Sequence, residues 1–146
     1  MGLAVSLREA GLPLPAAIVC LSPALDLTFT GKTWKTNLNT DVMLEFEKEK
    51  AGVGFYLNGA DPRNPRVSPL YADPKGLPPI LIQVGSDEML LSDSLSFAEK
   101  AKTAGVDVTL EIWEGMQHEW QFAVGIFPEA RKAVERIGEF IRERCP

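Results

Sequence analysis

The stretch Pro79–Val84 (PILIQV) is a short, mostly apolar run that precedes the polar sequence Gly85–Glu88 (GSDE). A run of this length and composition is typical of a strand buried on both faces of a parallel sheet. Ala16–Leu21 (AAIVCL) has the same character, and Val106–Trp113 predicts a third strand. The chain therefore contains three strand patterns, with PILIQV in the middle.

Helical patterns precede, separate and follow these strands. They cover about residues 2–10, 41–58, 92–104 and 128 onward. Ser92 or Asp93 is the expected N-cap of the third helix, and Gly105 is its expected stop. In the last helix, the spacing of apolar residues predicts a buried stripe of Val134, Ile137 and Ile141. Alternating strands and helices indicate an α/β fold with a parallel sheet and right-handed crossovers.

Composition limits the classes of function. The chain has 146 residues, a formal net charge of −5 and 45% hydrophobic residues, which fits a single domain over residues 1–146. No cluster of Lys and Arg favours a nucleic-acid partner, and the longest apolar runs are too short to span a bilayer. Cys20 and Cys145 show neither a disulfide nor a metal-binding pattern, and residues 1–10 do not form a signal peptide. We therefore expect a cytoplasmic location.

Polar side chains follow two neighbouring strands where each strand ends. Asp87 and Glu88 come after the second strand, and His118, the only histidine, comes after the third. In open α/β sheets, functional residues gather at the carboxyl ends of strands. A carboxylate on one ring nitrogen fixes the tautomer that lets histidine act as a general base. The pairing suggests part of a hydrolase triad, although a lone histidine in a loop also fits a purely structural role.

The sequence offers no matching nucleophile. A serine nucleophile in this setting is expected within Gly-x-Ser-x-Gly at a turn between a strand and a helix, and that motif is absent. Ser22 is followed by Pro23 and a polar loop, and Ser86 does not directly precede a helix. One histidine with scattered carboxylates gives no metal-ligand cluster, so we expect no metal site.

Several short motifs occur in a specific order along nearly the whole chain, from residue 2 to about residue 144. They are Gly11–Ala17 (GLPLPAA), Leu21-Ser22-Pro23 with Asp26-Leu27, Ser68–Ala72 (SPLYA), Leu77-Pro78-Pro79, Val84–Glu88 (VGSDE), Ala104-Gly105-Val106 and Gly115-Met116-x-His118. Together they resemble the second half of the hormone-sensitive-lipase-like family of α/β-hydrolases. The resemblance implies the C-terminal half of an α/β-hydrolase fold. It also implies a carboxylesterase or lipase that acts on small-molecule esters through a Ser–Asp/Glu–His triad without a cofactor.

Carried over to this sequence, the resemblance implies that His118 is the catalytic histidine. Taking Leu90 as the leucine of the family's acidic motif, and counting back from the helix stop at Ala104-Gly105, places Glu88 at the position of the acid. Asp87 is the alternative acid, and is otherwise a turn carboxylate. The remaining family positions imply lesser roles: Ser22 and Asp26 close a turn, Asp93 caps a helix, Trp113 is a core aromatic, and Trp120 and Phe122 either line a substrate pocket or pack.

The resemblance also implies that the nucleophilic serine and the oxyanion loop lie outside this chain. We therefore expect the isolated chain to be inactive. The sheet edge that would pair with the nucleophile strand is expected to be exposed, and a sheet edge is a possible surface for homo-oligomers. The alternative is a non-catalytic α/β-hydrolase-like module that is truncated or completed by a partner.

Overall fold

A computed structural model describes residues 1–145. Its centre is a parallel sheet of β1 (Ile18–Leu21), β2 (Ile80–Gly85) and β3 (Val108–Trp113), in the order β1-β2-β3. Ile80 is the register partner of both Ile18 and Val108. The three predicted strands and their parallel arrangement are thus confirmed. β3 begins two residues later than expected because the Val106 N–H donates to the Ala101 carbonyl and so closes the preceding helix.

Within residues 1–145, five helices flank the sheet. They are α1 (Gly2–Glu9), α2 (Thr33–Thr36), α3 (Phe46–Leu57), α4 (Leu91–Thr103) and α5 (Pro128–Arg144), with 3₁₀ turns at Pro69–Tyr71 and Trp120–Ala123. The short α2 was not expected. α3 begins later than predicted because the Asp41 carboxylate accepts the backbone N–H groups of Met43 and Leu44, which holds that segment in a turn.

β2 is the centre of the core, and every one of its residues is buried. On one face, Ile80 and Ile82 pack in a cluster that includes Phe97, Ala98 and Ala101 of α4. This packing explains the apolar run that predicted β2: its side chains meet protein on both faces of the sheet.

The stripe predicted for α5 was wrong at two of its three positions, since only Ile137 is half-buried. The helix buries Ala130, Ala133 and Phe140, whereas Val134 and Ile141 are exposed. The small alanines let the helix backbone approach β2 closely, so that the side-chain amide of Gln83 donates to the carbonyl of Ala133 at 3.0 Å. At Ala130 and Ala133, it is the close approach of the helix to β2 that selects the buried face.

The predicted N-caps of α4 were also wrong. The helix begins at Leu91, so Ser92 and Asp93 lie in its first turn and neither caps it. Both side chains instead bond to the segment between β1 and α3: Ser92 pairs with Thr33, and Asp93 accepts from the backbone of Leu25. The first turn of α4 thus anchors the chain that follows β1.

Candidate active site

The acid loop, residues 86–90, follows β2 and carries Glu88. The side chain of Glu88 is 0% exposed. Its Oε1 accepts two hydrogen bonds, from the backbone N–H of Gly85 at 2.6 Å and from the hydroxyl of Ser22 at 2.7 Å. A buried carboxylate needs such donors to offset the loss of water. Its other oxygen, Oε2, faces the loop that follows β3.

The histidine loop, residues 114–119, follows β3 and is held against the end of β2. It turns at Gly115, whose φ of +68° lies in the left-handed region that favours glycine. The Met116 carbonyl then comes against Gly85 and accepts the N–H of Asp87 at 3.4 Å. These contacts bring the two loops together and place His118 beside Glu88.

His118 and Glu88 form a hydrogen-bonded pair, with Nδ1 of the ring 3.2 Å from Oε2 of the carboxylate. The His118 side chain is 22% exposed. Burial of the ring lowers its pKa, but the hydrogen bond and charge of Glu88, with smaller contributions from Glu119 and Asp41, outweigh that effect. The pKa of His118 is therefore raised above 6.5.

Asp87, the alternative acid, is not in contact with His118. Its carboxylate accepts the hydroxyl of the neighbouring Ser86 at 2.9 Å, and its backbone N–H bonds to the histidine loop. The geometry therefore places Glu88, not Asp87, beside the imidazole ring.

The segment between β1 and α3 supports the acid loop, a role that sequence reasoning did not identify. The Asn37 side-chain amide donates to the carbonyls of Ser86 and Glu88, each at 3.0 Å. Asp41 accepts the N–H of Met89 at 2.8 Å. The only signal in the sequence was the polarity of this stretch, which by itself indicates a loop.

Ser22 has a larger role than the turn that was expected of it. It directly follows β1, it is 2% exposed, and its φ is +43°. Its hydroxyl donates to Glu88 and accepts the backbone N–H of Glu119 at 3.1 Å. Ser22 is thus engaged with the acid and the histidine loop.

Two cavities meet at His118. One, of about 320 Å³, lies between the ring and the segment after β1, and includes Ser22, Phe29 and Trp34. The other, of about 450 Å³, is lined mainly by apolar side chains: Met43, Met116, Trp120, Phe122, Ala123 and Phe127. The His118 side chain thus borders both cavities.

Trp120 and Phe122 both line the larger cavity, but only Phe122 is exposed there. Trp120 is buried and packs against the partly buried Trp113, with ring centroids 5.8 Å apart. Phe122 is 82% exposed at the rim of the larger cavity. Of these three residues, Trp113 and Trp120 have clear packing roles, and only Phe122 has its side chain free.

A second pair of buried carboxylates, Asp26 and Asp93, belongs to the structure around β1 rather than to this site. Asp26 accepts hydrogen bonds from Thr28 and Thr30, as expected for a turn. Asp93 accepts the backbone N–H groups of Leu25 and Asp26, and the indole N–H of Trp34. Burial raises the pKa of Asp93 to about 6 despite these donors.

Within residues 1–145, no hydroxyl or thiol hydrogen-bonds to Nε2 of His118. In that same part of the chain, no three His, Cys, Asp or Glu side chains come close enough together to hold a metal ion. The site thus contains an acid, Glu88, and a base, His118, whose Nε2 has no hydrogen-bond partner among the described residues.

None of the described helices combines the length and apolarity needed to cross a membrane.

A protein-family profile described as the alpha/beta hydrolase fold matches residues 1–122. An acetyl-hydrolase of Streptomyces hygroscopicus is 43% identical over 145 residues, which cover 97% of this chain and 48% of the relative. An esterase of Acinetobacter venetianus is 43% identical over 143 residues, or 96% of this chain and 47% of the relative. The crystal structure of an esterase from the bacterial hormone-sensitive lipase family matches with a TM-score of 0.97 at 46% identity, over 99% of this chain and 49% of that one.

The chain therefore belongs to the α/β-hydrolase fold family. Within that family it is similar to esterases of the bacterial hormone-sensitive lipase group, which confirms the resemblance drawn from its motifs. The chain spans about half the length of the curated relatives it matches and corresponds to the C-terminal half of their fold.

Proposed function

We propose that this chain carries the acid and the base of a carboxylic-ester hydrolase. His118 is the general base, Glu88 is the acid that orients it, and the nucleophilic serine comes from a segment outside the described residues. The observation that carries the proposal is the 3.2 Å contact between Nδ1 of His118 and Oε2 of the buried Glu88.

This contact supports different roles for the two ring nitrogens of His118, Nδ1 and Nε2. With Nδ1–H donated to Glu88, the neutral imidazole keeps a lone pair on Nε2. That lone pair takes the serine proton as the hydroxyl attacks the ester carbonyl, and the imidazolium then returns the proton to the leaving alcohol. In deacylation, the same nitrogen takes a proton from the attacking water. The negative charge of Glu88 stabilises the imidazolium in both steps.

Two further observations support this function. The related proteins are named as an acetyl-hydrolase and esterases, and these relatives cover nearly the whole chain. The apolar cavity of about 450 Å³ beside His118 suits the hydrocarbon part of a small ester. A small-molecule ester is therefore the proposed substrate class.

The isolated chain is proposed to be inactive, because none of the hydroxyls or thiols within residues 1–145 hydrogen-bonds to Nε2 of His118. The same observation favours a second candidate, a non-catalytic module or a subunit completed by a partner chain. The two candidate functions differ in one testable respect. Only the first predicts that, once a nucleophilic serine is supplied, ester hydrolysis occurs and depends on His118.

A chimera tests the proposal. Residues 1–146 replace the matching segment of the Acinetobacter venetianus esterase, and hydrolysis of a short-chain p-nitrophenyl ester is measured. We expect turnover by the chimera, none by the isolated chain, and a loss of about 10³-fold or more in His118→Ala, the scale on which removal of a triad member acts. The control is Lys132→Ala, an exposed position on α5. Retention of activity by the His118→Ala chimera contradicts the proposal.

A further inference from the structure

We infer that Ser22 is a positioning residue for the acid–base pair, and that its hydroxyl fixes both the carboxylate of Glu88 and the backbone directly after His118. The catalytic consequence of this inference rests on the proposed function. Its structural content does not, because that concerns only the geometry of Glu88 and His118.

The Ser22 hydroxyl connects the ends of all three strands. Ser22 directly follows β1, and its Oγ donates to Oε1 of Glu88, in the loop after β2, at 2.7 Å. The same oxygen accepts the N–H of Glu119, in the loop after β3, at 3.1 Å. A single buried hydroxyl thus ties together the three segments from which the site is built.

These bonds determine which carboxylate oxygen meets the imidazole. Oε1 of Glu88 accepts from both Ser22 and the backbone of Gly85. Oε2 is left to accept from Nδ1 of His118. Because Glu88 is completely buried, its carboxylate depends on hydrogen-bond donors from the protein. Removal of the hydroxyl leaves Oε1 with the Gly85 N–H as its one remaining donor, so the carboxylate is held less firmly in its orientation toward the ring.

The two residues joined by the hydrogen bond from Glu119 to Ser22 both have an unusual backbone conformation. Ser22 has a φ of +43° and Glu119 a φ of +52°, and both lie in the left-handed region that is uncommon for residues other than glycine. Such conformations persist where the surrounding contacts hold them, and they cluster at functional sites. Here the bond between the two residues fixes the turn that immediately follows His118.

The single histidine provides a direct readout, because its ring carbon–proton signals report the pKa of His118 without ambiguity. Glu88, Glu119 and Asp41 are the charged groups that act on this ring. Loss of the Ser22 hydroxyl is expected to weaken the contact with Glu88, the strongest of these groups. The pKa of His118 should then fall toward the value measured for Glu88→Gln.

Ser22→Gly is the main test variant. Glycine adopts a φ of +43° without strain, so this substitution removes the hydroxyl while it preserves the turn. Ser22→Ala is the second variant, in case the glycine loosens the loop. The matched control is Ser94→Ala, since the Ser94 hydroxyl is also buried but has no hydrogen-bond partner.

NMR titration of the folded chain measures the His118 pKa in each variant and so tests the positioning role of Ser22. A lower His118 pKa in both Ser22 variants, with Ser94→Ala unchanged, supports the positioning role. An unchanged pKa in folded Ser22→Gly overturns it, as does an equal shift in Ser94→Ala. In the chimera described above, Ser22→Gly should lower kcat by up to about 100-fold with little change in KM, as expected for a misplaced catalytic group.

Failure of this inference is distinguishable from failure of the proposed function. If the unmodified chimera hydrolyses no ester, the proposed function fails while the pKa comparison still decides the role of Ser22. If the chimera is active and depends on His118, but Ser22→Gly changes neither kcat nor the pKa, only the positioning role is overturned.

Discussion

Gly85 and Met116 are in direct backbone contact, and a Cβ atom at Gly85 would lie 2.0 Å from the Met116 carbonyl oxygen. This distance is far below any van der Waals contact, and the clashing atom belongs to backbone rather than to a flexible side chain. The end of β2 and the histidine loop therefore approach as closely as they do only because residue 85 has no side chain.

Gly85→Ala is expected to push the histidine loop away from β2 and to separate His118 from Glu88. Overpacking of this kind costs about 1–3 kcal/mol of unfolding free energy. Urea unfolding measures that loss, and NMR titration should show a lower pKa of His118. The control is Gly52→Ala in α3, where a new Cβ meets no atom within 4 Å. An unchanged His118 pKa in Gly85→Ala would show that the loop shifts without affecting the pair.

Glu88→Gln is expected to lower the pKa of His118, because it removes the negative charge that outweighs the burial of the ring. In the unmodified chain the folded-state pKa lies above the unfolded value of about 6.5, so folding favours the protonated ring. That stabilisation is present below the unfolded pKa and is lost as the pH rises through the folded pKa.

Urea unfolding over this pH range measures the effect, which should be smaller in Glu88→Gln. Asp87→Asn is the matched control, since Asp87 does not contact the ring. In the active chimera, kcat/KM should rise with pH through a pKa above 6.5, because only neutral His118 can accept a proton. An equal fall of the His118 pKa in Asp87→Asn would contradict the assignment of Glu88.

Asp93→Asn is expected to reduce the change in unfolding free energy between about pH 3.8 and pH 6. The pKa of Asp93 is raised from 3.8 to about 6 by burial, so its protonated form is favoured by folding. The contribution of Asp93 to the unfolding free energy is fully present below pH 3.8 and is lost as the pH rises through about 6. The total change is about 3 kcal/mol.

The Asn variant cannot ionise and so lacks this slope, but its amide removes an acceptor from the Leu25, Asp26 or Trp34 donors at every pH. Urea midpoints measured from acidic to neutral pH separate the two effects. Asp73→Asn, an exposed position, is the control. An unchanged pH slope in Asp93→Asn would rule out Asp93 as its source.

Asn37→Asp is expected to destabilise the acid loop. The Asn37 amide donates to two backbone carbonyls, and a carboxylate in its place would set oxygen against oxygen. An unsatisfied or repelled buried acceptor costs about 1–3 kcal/mol, which thermal or urea unfolding detects. Asn39→Asp places the same substitution two residues away, at an exposed position, and should be nearly neutral. Equal losses in both variants would show that added charge alone is responsible.

The strands and the acid–base pair were predictable from sequence because their signals are local. A continuous apolar run such as Pro79–Val84 indicates a buried strand, and the carboxyl ends of parallel strands lie at one edge of the sheet. Glu88 and His118 each follow such a strand, so their proximity followed from topology alone. The choice of Glu88 over Asp87 came from the family motif, and the structure places Glu88 beside the ring.

The supporting contacts were not predictable because they join residues far apart in sequence. Ser22 and Asn37 each contact the acid loop across tens of residues, and a Ser-Pro dipeptide after a strand looks like an ordinary turn. The sequence predicts an N-cap at Asp93 because capping is a common role for Asp at the start of a helix. The backbone N–H groups of Leu25 and Asp26, which required an acceptor, are visible only once the chain is folded.

The hydrogen bonds that orient the His118 ring come from residues between Ser22 and Glu119. The acid and the base of the proposed site are thus held by contacts within this chain, and the nucleophilic hydroxyl and the oxyanion loop are the parts that must come from elsewhere. Two separate polypeptides, one with the nucleophile and the oxyanion loop and one with the acid and the base, would then become active only on association. Ester turnover would report that association in proportion to the assembled fraction, so the chain is a natural starting point for a split-enzyme sensor.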